Sequence, residues 1–291
     1  MLERIAILGL GLMGSSLGMA VKQAFPECRR IGYARRQESR SKALDLDIVD
    51  EVTEWPESAV KDCDLAVACV PVLAIPDILG SAVPGLRTDA VVTDVGSTKV
   101  ELVRQITEVM GELAPRFVGS HPIAGSEMAG MESARADIYR DARTVVTPAG
   151  TTAADALQQV EDFWRELGCK VSVMSPADHD GIIARTSHLP HLAAAALVQS
   201  VCRDGEGIAP FCGGGFMDTT RVAAGSEELW HDIVKTNRSY MKQELDLFGR
   251  TLATLAELVE NGEFERVRGF LARSREQRRR IGEAVSGDSA A

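Results

Sequence analysis

The sequence lacks the features of membrane-spanning, nucleic-acid-binding and disulfide-stapled proteins. No stretch approaches the roughly 18 consecutive apolar residues of a spanning helix, and the first residues lead directly into a strand-like run, so we expect no signal peptide. There is no basic block, and 32 Lys and Arg against 42 Asp and Glu give a net charge of −10, which disfavours nucleic acid and membranes as partners. The six cysteines form no C-x-x-C pair, so we expect reduced thiols in a cytoplasmic protein.

The first 176 residues alternate between strand-like and helix-like segments. Runs of this kind, short and nearly continuously apolar, are typical of strands buried on both faces of a parallel sheet. They span residues 4–8, 30–34, 65–70, 90–94, 117–119, 143–148 and 170–174. Amphipathic stretches such as 99–113 and 152–167 lie between them, so we predict a Rossmann-like, doubly wound α/β domain over residues 1–176.

The pattern changes after residue 176, and no convincing strand follows. Residues 178–201 are apolar and Ala-rich, which predicts one buried helix with a kink at Pro190. Residues 205–219 contain three consecutive glycines and are predicted as a loop. Ser226, followed by two glutamates, predicts a helix N-cap.

The remaining residues also read as helices. They continue to about residue 260, break at Asn261-Gly262 and resume over 263–283. A length of 291 residues allows about two domains. We therefore predict an all-helical second domain over residues 177–291.

A glycine pattern follows the first predicted strand. Gly9, Gly11 and Gly14 stand in the sequence GLGLMG, the G-x-G-x-x-G arrangement of a dinucleotide-binding turn. The first glycine permits a tight turn, the second lets the pyrophosphate approach the backbone, and the third lets the helix pack close to the strand. The strand-turn-helix context predicts dinucleotide binding; the alternative is a glycine-rich turn without a ligand.

The end of the second predicted strand lacks an acidic residue. An acid about 20 residues after the turn commonly binds the ribose 2′-hydroxyl of NAD, but here the sequence reads Tyr33-Ala34-Arg35-Arg36. Two guanidinium groups suit a 2′-phosphate through bidentate charge-assisted bonds, which favours NADP over NAD. Alternatively, the two arginines are solvated or stack on the adenine of NAD.

Ser97 and His121 are expected at the cofactor edge of the sheet. Each follows a predicted strand, and ligands of doubly wound sheets bind outside the carboxyl ends of the strands. A neutral imidazole can accept the hydroxyl proton when hydride leaves a carbinol, which makes His121 a candidate base. Alternatively, His121 is structural. For Ser97 the other interpretation is an N-cap of the helix near Lys99, and both roles of Ser97 are compatible.

Polar residues also cluster in the helical region. His188 and His191 lie in an Ala-rich helix, where they either hold an interface or face a polar ligand, and their surroundings lack the ligand spacing of a metal site. Arg221 follows three glycines and is a candidate carboxylate clamp, with Trp230 as a wall over a ring. The alternative is a structural pair of Arg221 with Asp218 and a core tryptophan.

Several blocks together resemble the prephenate/arogenate dehydrogenases of tyrosine biosynthesis. They are GLGLMG at 9–14, DVGSTK at 94–99, FVGSHPIAGSEMAG…TVVTP within 117–148, DHDGIIARTSHLPH at 178–191 and GGGFMDTTR…W at 213–230. The resemblance implies a Rossmann-like domain, a helical dimerisation domain, a homodimer, and a small-molecule substrate bound between the domains. It also implies NAD(P)-dependent oxidative decarboxylation of a cyclohexadienol, either prephenate to 4-hydroxyphenylpyruvate or arogenate to tyrosine.

The resemblance also implies roles for single residues. His121 would accept a hydrogen bond from the ring C4 hydroxyl with the support of Ser97, and Arg221 would bind the ring carboxylate. The remaining pocket residues would be Ser126, His191 and Trp230. From the turn and the strand ends, we expect the dinucleotide to contact Gly9, Gly11, Leu12, Met13, Gly14, Arg35, Arg36, Val70 and Pro71.

Three other functions are open. A relative acting on 4-amino-4-deoxyprephenate would have the same plan, and a β-hydroxyacid dehydrogenase would share the Rossmann-plus-helices arrangement. The latter resemblance is weak because no lysine occurs between Lys170 and Lys235, where those enzymes carry a catalytic one. A dinucleotide-sensing protein without catalysis would need neither His121 nor Arg221.

Overall fold

One eight-stranded sheet organises the first of the two units into which the chain folds, Met1–Arg238 and Ser239–Ala291. The computed structural model describes residues 2–124 and 130–288. The strands are β1 (Arg4–Leu8), β2 (Arg29–Tyr33), β3 (Glu51–Thr53), β4 (Leu65–Ala68), β5 (Val91–Asp94), β6 (Phe117–Ile123), β7 (Arg143–Thr147) and β8 (Lys170–Val173). Their order in the sheet is β3-β2-β1-β4-β5-β6-β7-β8.

The helices follow the strands in the alternation that the sequence predicts. In the first unit they are α1 (Leu12–Ala24), α2 (Gln37–Asp45), α3 (Pro56–Ala59), α4 (Ile75–Ala82), α5 (Val100–Met110), α6 (Ala154–Glu166), α7 (Pro176–Ile183), α8 (Leu189–Val201), α9 (Gly214–Thr220) and α10 (Glu227–Thr236). The last two are α11 (Arg238–Glu260) and α12 (Phe264–Asp288). The prediction of a Rossmann-like α/β domain followed by helices is confirmed.

The first six strands are parallel, but β7 runs antiparallel to β6, and β8 runs parallel to β7. The parallel sheet that the apolar runs predict is therefore found for the first six strands but not for the pairing of β6 with β7. A parallel connection needs a crossover, usually a helix, whereas the described residues between β6 and β7 contain only the 3₁₀ turn Met131–Ser133. Strand β3 was not predicted, because it is a short edge strand with polar residues at both ends.

Alternate side chains of β1 face two different helical layers. Ile5 and Ile7 belong to a cluster with residues of α1 and α6, whereas Ala6 and Leu8 pack with residues of α4 and α5. All four are fully buried, and each large apolar side chain buried in this way contributes about 1.5–3 kcal/mol. Burial on both faces explains why the strand is continuously apolar in sequence.

The helical part of the first unit departs from prediction in two places. The helix predicted over 178–201 is helical throughout but contains a π-helical segment, Ala184–His188, which joins α7 to α8 just before Pro190 in the first turn of α8. The predicted loop contains a 3₁₀ turn, Glu206–Phe211, and helix α9, for which Gly213 is the N-cap. Consecutive glycines favour a turn, but glycine is also a common N-cap, and here Gly213 begins a helix.

Two predicted helix boundaries are confirmed. The Ser226 hydroxyl accepts a hydrogen bond from the backbone N–H of Leu229 and caps α10. In the second unit, α11 and α12 are separated at Gly262, whose φ of +68° lies in the left-handed region that favours glycine. The domain boundary predicted between residues 176 and 177 stays a prediction.

Candidate active site

The glycine turn between β1 and α1 has the backbone geometry of a dinucleotide site. Gly9 has a φ of +110°, and a Cβ there would lie 2.6 Å from Val70 Cγ1. A Cβ on Gly14 would lie only 1.9 Å from the carbonyl oxygen of Gly9, so any side chain there would separate the helix from the turn. By contrast, a Cβ on Gly11 would meet no atom within 4 Å, which leaves space for a ligand at the start of α1.

A cleft of about 750 Å³ opens at this turn, at the carboxyl ends of β1, β2 and β4. Six of the predicted cofactor-binding residues line it, namely Gly9, Gly11, Arg35, Arg36, Val70 and Pro71. Leu12, Met13 and Gly14 do not line the cleft but form the first turn of α1, whose backbone N–H groups lack partners within the helix. The residues present therefore fit a dinucleotide, with its phosphates at the helix N-terminus.

The turn after β2 carries the two predicted guanidinium groups at the cleft. Arg35 and Arg36 are exposed. The Arg40 guanidinium donates hydrogen bonds to the carbonyl oxygens of Ala34 at 3.1 Å and Arg35 at 2.7 Å, which holds the shape of the turn. No acidic residue occupies the end of β2.

His121 lies within β6 rather than after it, because the antiparallel partner β7 extends the strand to Ile123. The strand was predicted to end at residue 119, and this predicted end is wrong. The side chain is half-buried, and its Nδ1 lies 2.9 Å from Nε2 of His179. Desolvation and the neighbouring His179 and Lys99 lower the pKa of His121 well below its usual value of 6.5, so the ring is neutral at neutral pH.

His179 and Asp180 lie in the middle of α7, and both are buried next to His121. Nδ1 of His179 lies 2.7 Å from Oδ1 of Asp180. The same carboxylate accepts hydrogen bonds from the backbone N–H groups of Lys99 and Val100, each at 2.8 Å. Asp180 thus caps α5, so the alternative role of Ser97 as the cap of this helix is wrong.

A second buried carboxylate holds the loop that contains Ser97. Asp94 forms an ion pair with Lys99, and both side chains are fully buried. Asp94 also accepts hydrogen bonds from the backbone N–H of Gly96 at 2.7 Å and of Ser120 at 3.0 Å. Ser97, next to Gly96, is half-buried, and its side chain forms no hydrogen bond with the rest of the described chain.

The contacts from His121 through His179 to Asp180 form a chain, which we call the relay. A second group of rings, the ring group, consists of His188, His191 and Trp230. The rings of His191 and Trp230 stack with centroids 3.5 Å apart at 13°, and His188 meets Trp230 edge-on. Asn237 donates from Nδ2 to the carbonyl oxygen of Asp180 at 3.0 Å and contacts Nδ1 of His188 at 3.2 Å. Burial lowers the pKa of His188 to about 4.

Of the remaining predicted substrate residues, the structure describes Arg221 but not Ser126. Arg221 is exposed and begins a 3₁₀ turn, Arg221–Ala224, directly after α9. Its neighbour in the chain, Val222, contacts His191 through the backbone, so the turn that begins at Arg221 adjoins the stacked rings. Ser126 lies outside the described residues.

Asn237 connects the relay to the ring group, since it contacts both Asp180 and His188. Two parts of this arrangement are not predicted by the sequence. His179 and Asp180 lie in the sequence block 178–191, to which no role for these two residues was attached, and no sequence motif marks Asn237. Within residues 2–124 and 130–288, no three His, Cys, Asp or Glu side chains are grouped as metal ligands. No helix in the described part of the chain has the length and hydropathy to cross a membrane.

Comparisons with known proteins agree with the sequence blocks. The family model "Prephenate dehydrogenase, nucleotide-binding domain" matches residues 17–173, and "Prephenate dehydrogenase, dimerization domain" matches residues 175–273. A cyclohexadienyl dehydrogenase of Zymomonas mobilis is 34% identical over 261 residues, covering 88% of each chain.

Solved structures give the same result. A prephenate dehydrogenase from Aquifex aeolicus, in complex with hydroxyphenyl propionate and NAD+, superposes with a TM-score of 0.91 at 32% identity, covering 97% of this chain and 99% of that chain. A Synechocystis arogenate dehydrogenase superposes with a TM-score of 0.83 at 28% identity, covering 96% and 99%.

Proposed function

The chain belongs to the prephenate dehydrogenase family, and we propose that it catalyses the oxidative decarboxylation of prephenate or arogenate in tyrosine biosynthesis. The observation that carries this proposal is His121, a neutral imidazole at the cofactor edge of the sheet with its Nδ1 held by another ring. Such a ring can accept a proton at Nε2 at neutral pH.

The dinucleotide would be held by the glycine turn, the first turn of α1 and the residues after β2 and β4. When bound, a nicotinamide dinucleotide accepts hydride from C4 of the substrate ring. We further propose a preference for NADP, because Arg35 and Arg36 line the cleft where an acid would select NAD. The exposed guanidinium groups can bind a 2′-phosphate without desolvation of a buried charge.

His121 supplies the base in this reaction. As the C4–H bond breaks, the C4 hydroxyl gives its proton to Nε2 of His121, and a ketone forms at C4. Ser97, on the adjacent half-buried loop, would hold the same hydroxyl in place. The bond from C1 to its carboxylate then breaks, CO2 leaves, and the electron pair enters the ring, whose C4 oxygen takes up a proton to give a phenol. Aromatisation makes this step strongly downhill, so orientation and proton acceptance are the main demands on the protein.

Arg221 would bind the ring carboxylate, and His191, Trp230 and Ser126 would line the pocket. Support for this comes from Val222, the residue after Arg221, which contacts His191 of the stacked pair of His191 and Trp230. A guanidinium binds a carboxylate through two parallel hydrogen bonds, which fixes orientation as well as charge. The prephenate dianion needs such local cations because the whole chain is acidic.

We also propose a cytoplasmic homodimer. Helices α11 and α12 expose large apolar side chains: Leu245, Leu247, Leu252, Val259, Phe264, Leu271, Ile281 and Val285. An apolar surface of this kind is typical of a subunit interface, and the six free cysteines support a reducing compartment. Light scattering after size-exclusion chromatography would refute the homodimer if it gave the mass of a single chain.

One assay tests the catalytic proposal. The purified protein is incubated with prephenate or arogenate, each with NAD or NADP, while reduced cofactor and the aromatic product are measured. We expect turnover with at least one substrate, giving one CO2 and one reduced cofactor per product, and a higher kcat/KM with NADP. Absence of turnover in all four combinations would refute the enzymatic function.

A further inference from the structure

We propose that His179 and Asp180 are positioning residues that fix the ring tautomer of His121, so that its Nε2 is an acceptor when the substrate hydroxyl arrives. This inference rests on the proposed function, in which His121 takes the hydroxyl proton. It assigns a role to two buried side chains that the reaction as described above does not use.

The direction of the first hydrogen bond follows from Asp180. Its Oδ1 accepts from the backbone N–H of Lys99 and its Oδ2 from that of Val100, both at 2.8 Å. Both oxygens are therefore acceptors, at the N-terminus of a helix where negative charge is favoured. Nδ1 of His179, 2.7 Å from Oδ1, must then carry the proton of this contact.

The second hydrogen bond follows from the first. Burial is the largest influence on the pKa of His179 and lowers it, and the Lys99 cation adds to this effect. A neutral His179 that is protonated at Nδ1 has only a lone pair at Nε2. Nδ1 of His121, 2.9 Å away, must therefore be the donor, which leaves Nε2 of His121 unprotonated.

The groups around the relay keep it in one arrangement. His179 and Asp180 are almost fully buried. Lys99, whose backbone N–H donates to Asp180, is itself held by its ion pair with Asp94, and Asn237 donates to the backbone carbonyl of Asp180. Both ring nitrogens of His179 and both carboxylate oxygens of Asp180 are hydrogen-bonded, so these two side chains need not reorganise during a reaction, which is the property expected of a positioning device.

A matched pair of substitutions at one position tests the relay. His179→Gln keeps an acceptor oxygen facing His121 and an amide donor facing Asp180, whereas His179→Leu has neither. We expect His179→Leu to lower kcat by about 10²–10³-fold, since losing tautomer control in a Ser–His–Asp triad costs about 10⁴-fold, with little change in either KM. We expect His179→Gln to recover most of this loss.

A second measurement determines the tautomer of the His121 ring directly and needs no activity assay. In ¹⁵N spectra of the full-length protein, labelled at its five histidines, the signals of His121 are assigned by their absence from His121→Gln. We expect protonated Nδ1 and unprotonated Nε2 in the wild type, and a proton on Nε2 in His179→Leu. His231→Leu is the control, because His231 also contacts an adjacent aspartate, Asp232, but is exposed; its kcat and the His121 signals should be unchanged.

The outcomes separate the relay from the proposed function. A wild-type spectrum with the proton on Nε2 of His121 would overturn the relay even if His179→Leu did not fold. Turnover within twofold of wild type in folded His179→Leu would do the same. An inactive wild type with the expected tautomer would leave the relay in place and refute the proposed function alone.

Discussion

Asp94 and Lys99 form an ion pair in which both side chains are withdrawn from solvent. Removing two charges from water costs several kcal/mol, so a buried pair is tolerated when further hydrogen bonds satisfy its groups. Asp94 meets this condition because the backbone N–H groups of Gly96 and Ser120 also donate to it. The pair thereby joins the loop that carries Ser97 to the strand that carries His121.

In the proposed reaction, the chemical step depends most directly on His121. In His121→Asn the side chain can still form hydrogen bonds but cannot accept the hydroxyl proton. We expect kcat to fall about 10²–10⁴-fold, or about 3–5 kcal/mol in the barrier, with a smaller change in substrate KM. Steady-state kinetics at saturating substrate measure this, with His231→Asn as the matched control. Retention of more than half of the wild-type kcat would show that another group is the base.

Arg221 is expected to act in binding rather than in the chemical step. Arg221→Lys keeps the charge but loses the planar fork that pairs with a carboxylate. We expect the substrate KM to rise at least tenfold, about 1.4 kcal/mol, while the cofactor KM hardly changes and the protein melts within a few degrees of wild type. If the variant unfolds but its folded fraction binds substrate normally, Arg221 is a structural partner of Asp218 or another acid.

Among the elements, β6 shows how an antiparallel neighbour changes the placement of a functional residue. Its pairing with β7 sets His121 opposite Val145 and Pro122 opposite Thr144. The backbone around His121 is therefore held in a ladder, and its ring is positioned by a strand rather than by a loop. Pro122 lacks an N–H group and in sequence marks the end of a strand, which explains why β6 was predicted too short.

The turn between β2 and α2 is expected to select the cofactor. The double variant Ala34→Asp with Arg35→Ala places a carboxylate where it can accept from a ribose 2′-hydroxyl and repel a 2′-phosphate. We expect the ratio of kcat/KM for NADP over NAD to fall at least tenfold, as measured by kinetics with both cofactors. Arg104→Ala, which removes an exposed arginine from α5, should leave the ratio unchanged.

A preference of the wild type for NAD by tenfold or more would refute the role given to Arg35 and Arg36. In that case the two guanidinium groups are solvated or stack on the adenine, as the sequence also allows.

For the molecule as a whole, buried neutral histidines make stability depend on pH. The folded-state pKa values of His179 and His188 lie below 6.5, that of His188 at about 4. The unfolded chain therefore binds protons first as pH falls. The stability is fully present above about pH 6.5 and is lost as pH falls towards the folded-state values.

We expect the free energy of unfolding to decrease between pH 6.5 and 4.5 by up to about 1.4 kcal/mol per pH unit for each such histidine. Denaturant unfolding across this range measures the slope. In His188→Asn, which keeps an acceptor for Asn237 but cannot titrate, the slope should be shallower by about one proton. Equal slopes in the two proteins would contradict the assignment of a lowered pKa to His188.

The glycine turn, the cap at Ser226 and the break at Gly262 could be predicted because each depends on a few consecutive residues. Backbone sterics and the unpaired N–H groups of a helix end act over one turn of chain, so residue type and spacing carry the information. The apolar strands of the sheet are recognisable for a similar reason, since burial on both faces leaves a continuous pattern.

The antiparallel direction of β7, the cap of α5 by Asp180 and the relay to His121 could not be predicted in this way. Asp180 and Lys99 are 81 positions apart, and His121 and His179 are 58 apart. No local pattern specifies which donor meets which acceptor across such distances. The packing of α7 against α5 and β6 brings these groups together, and we infer that the exclusion of water there keeps the His121 ring neutral and favours the proposed tautomer.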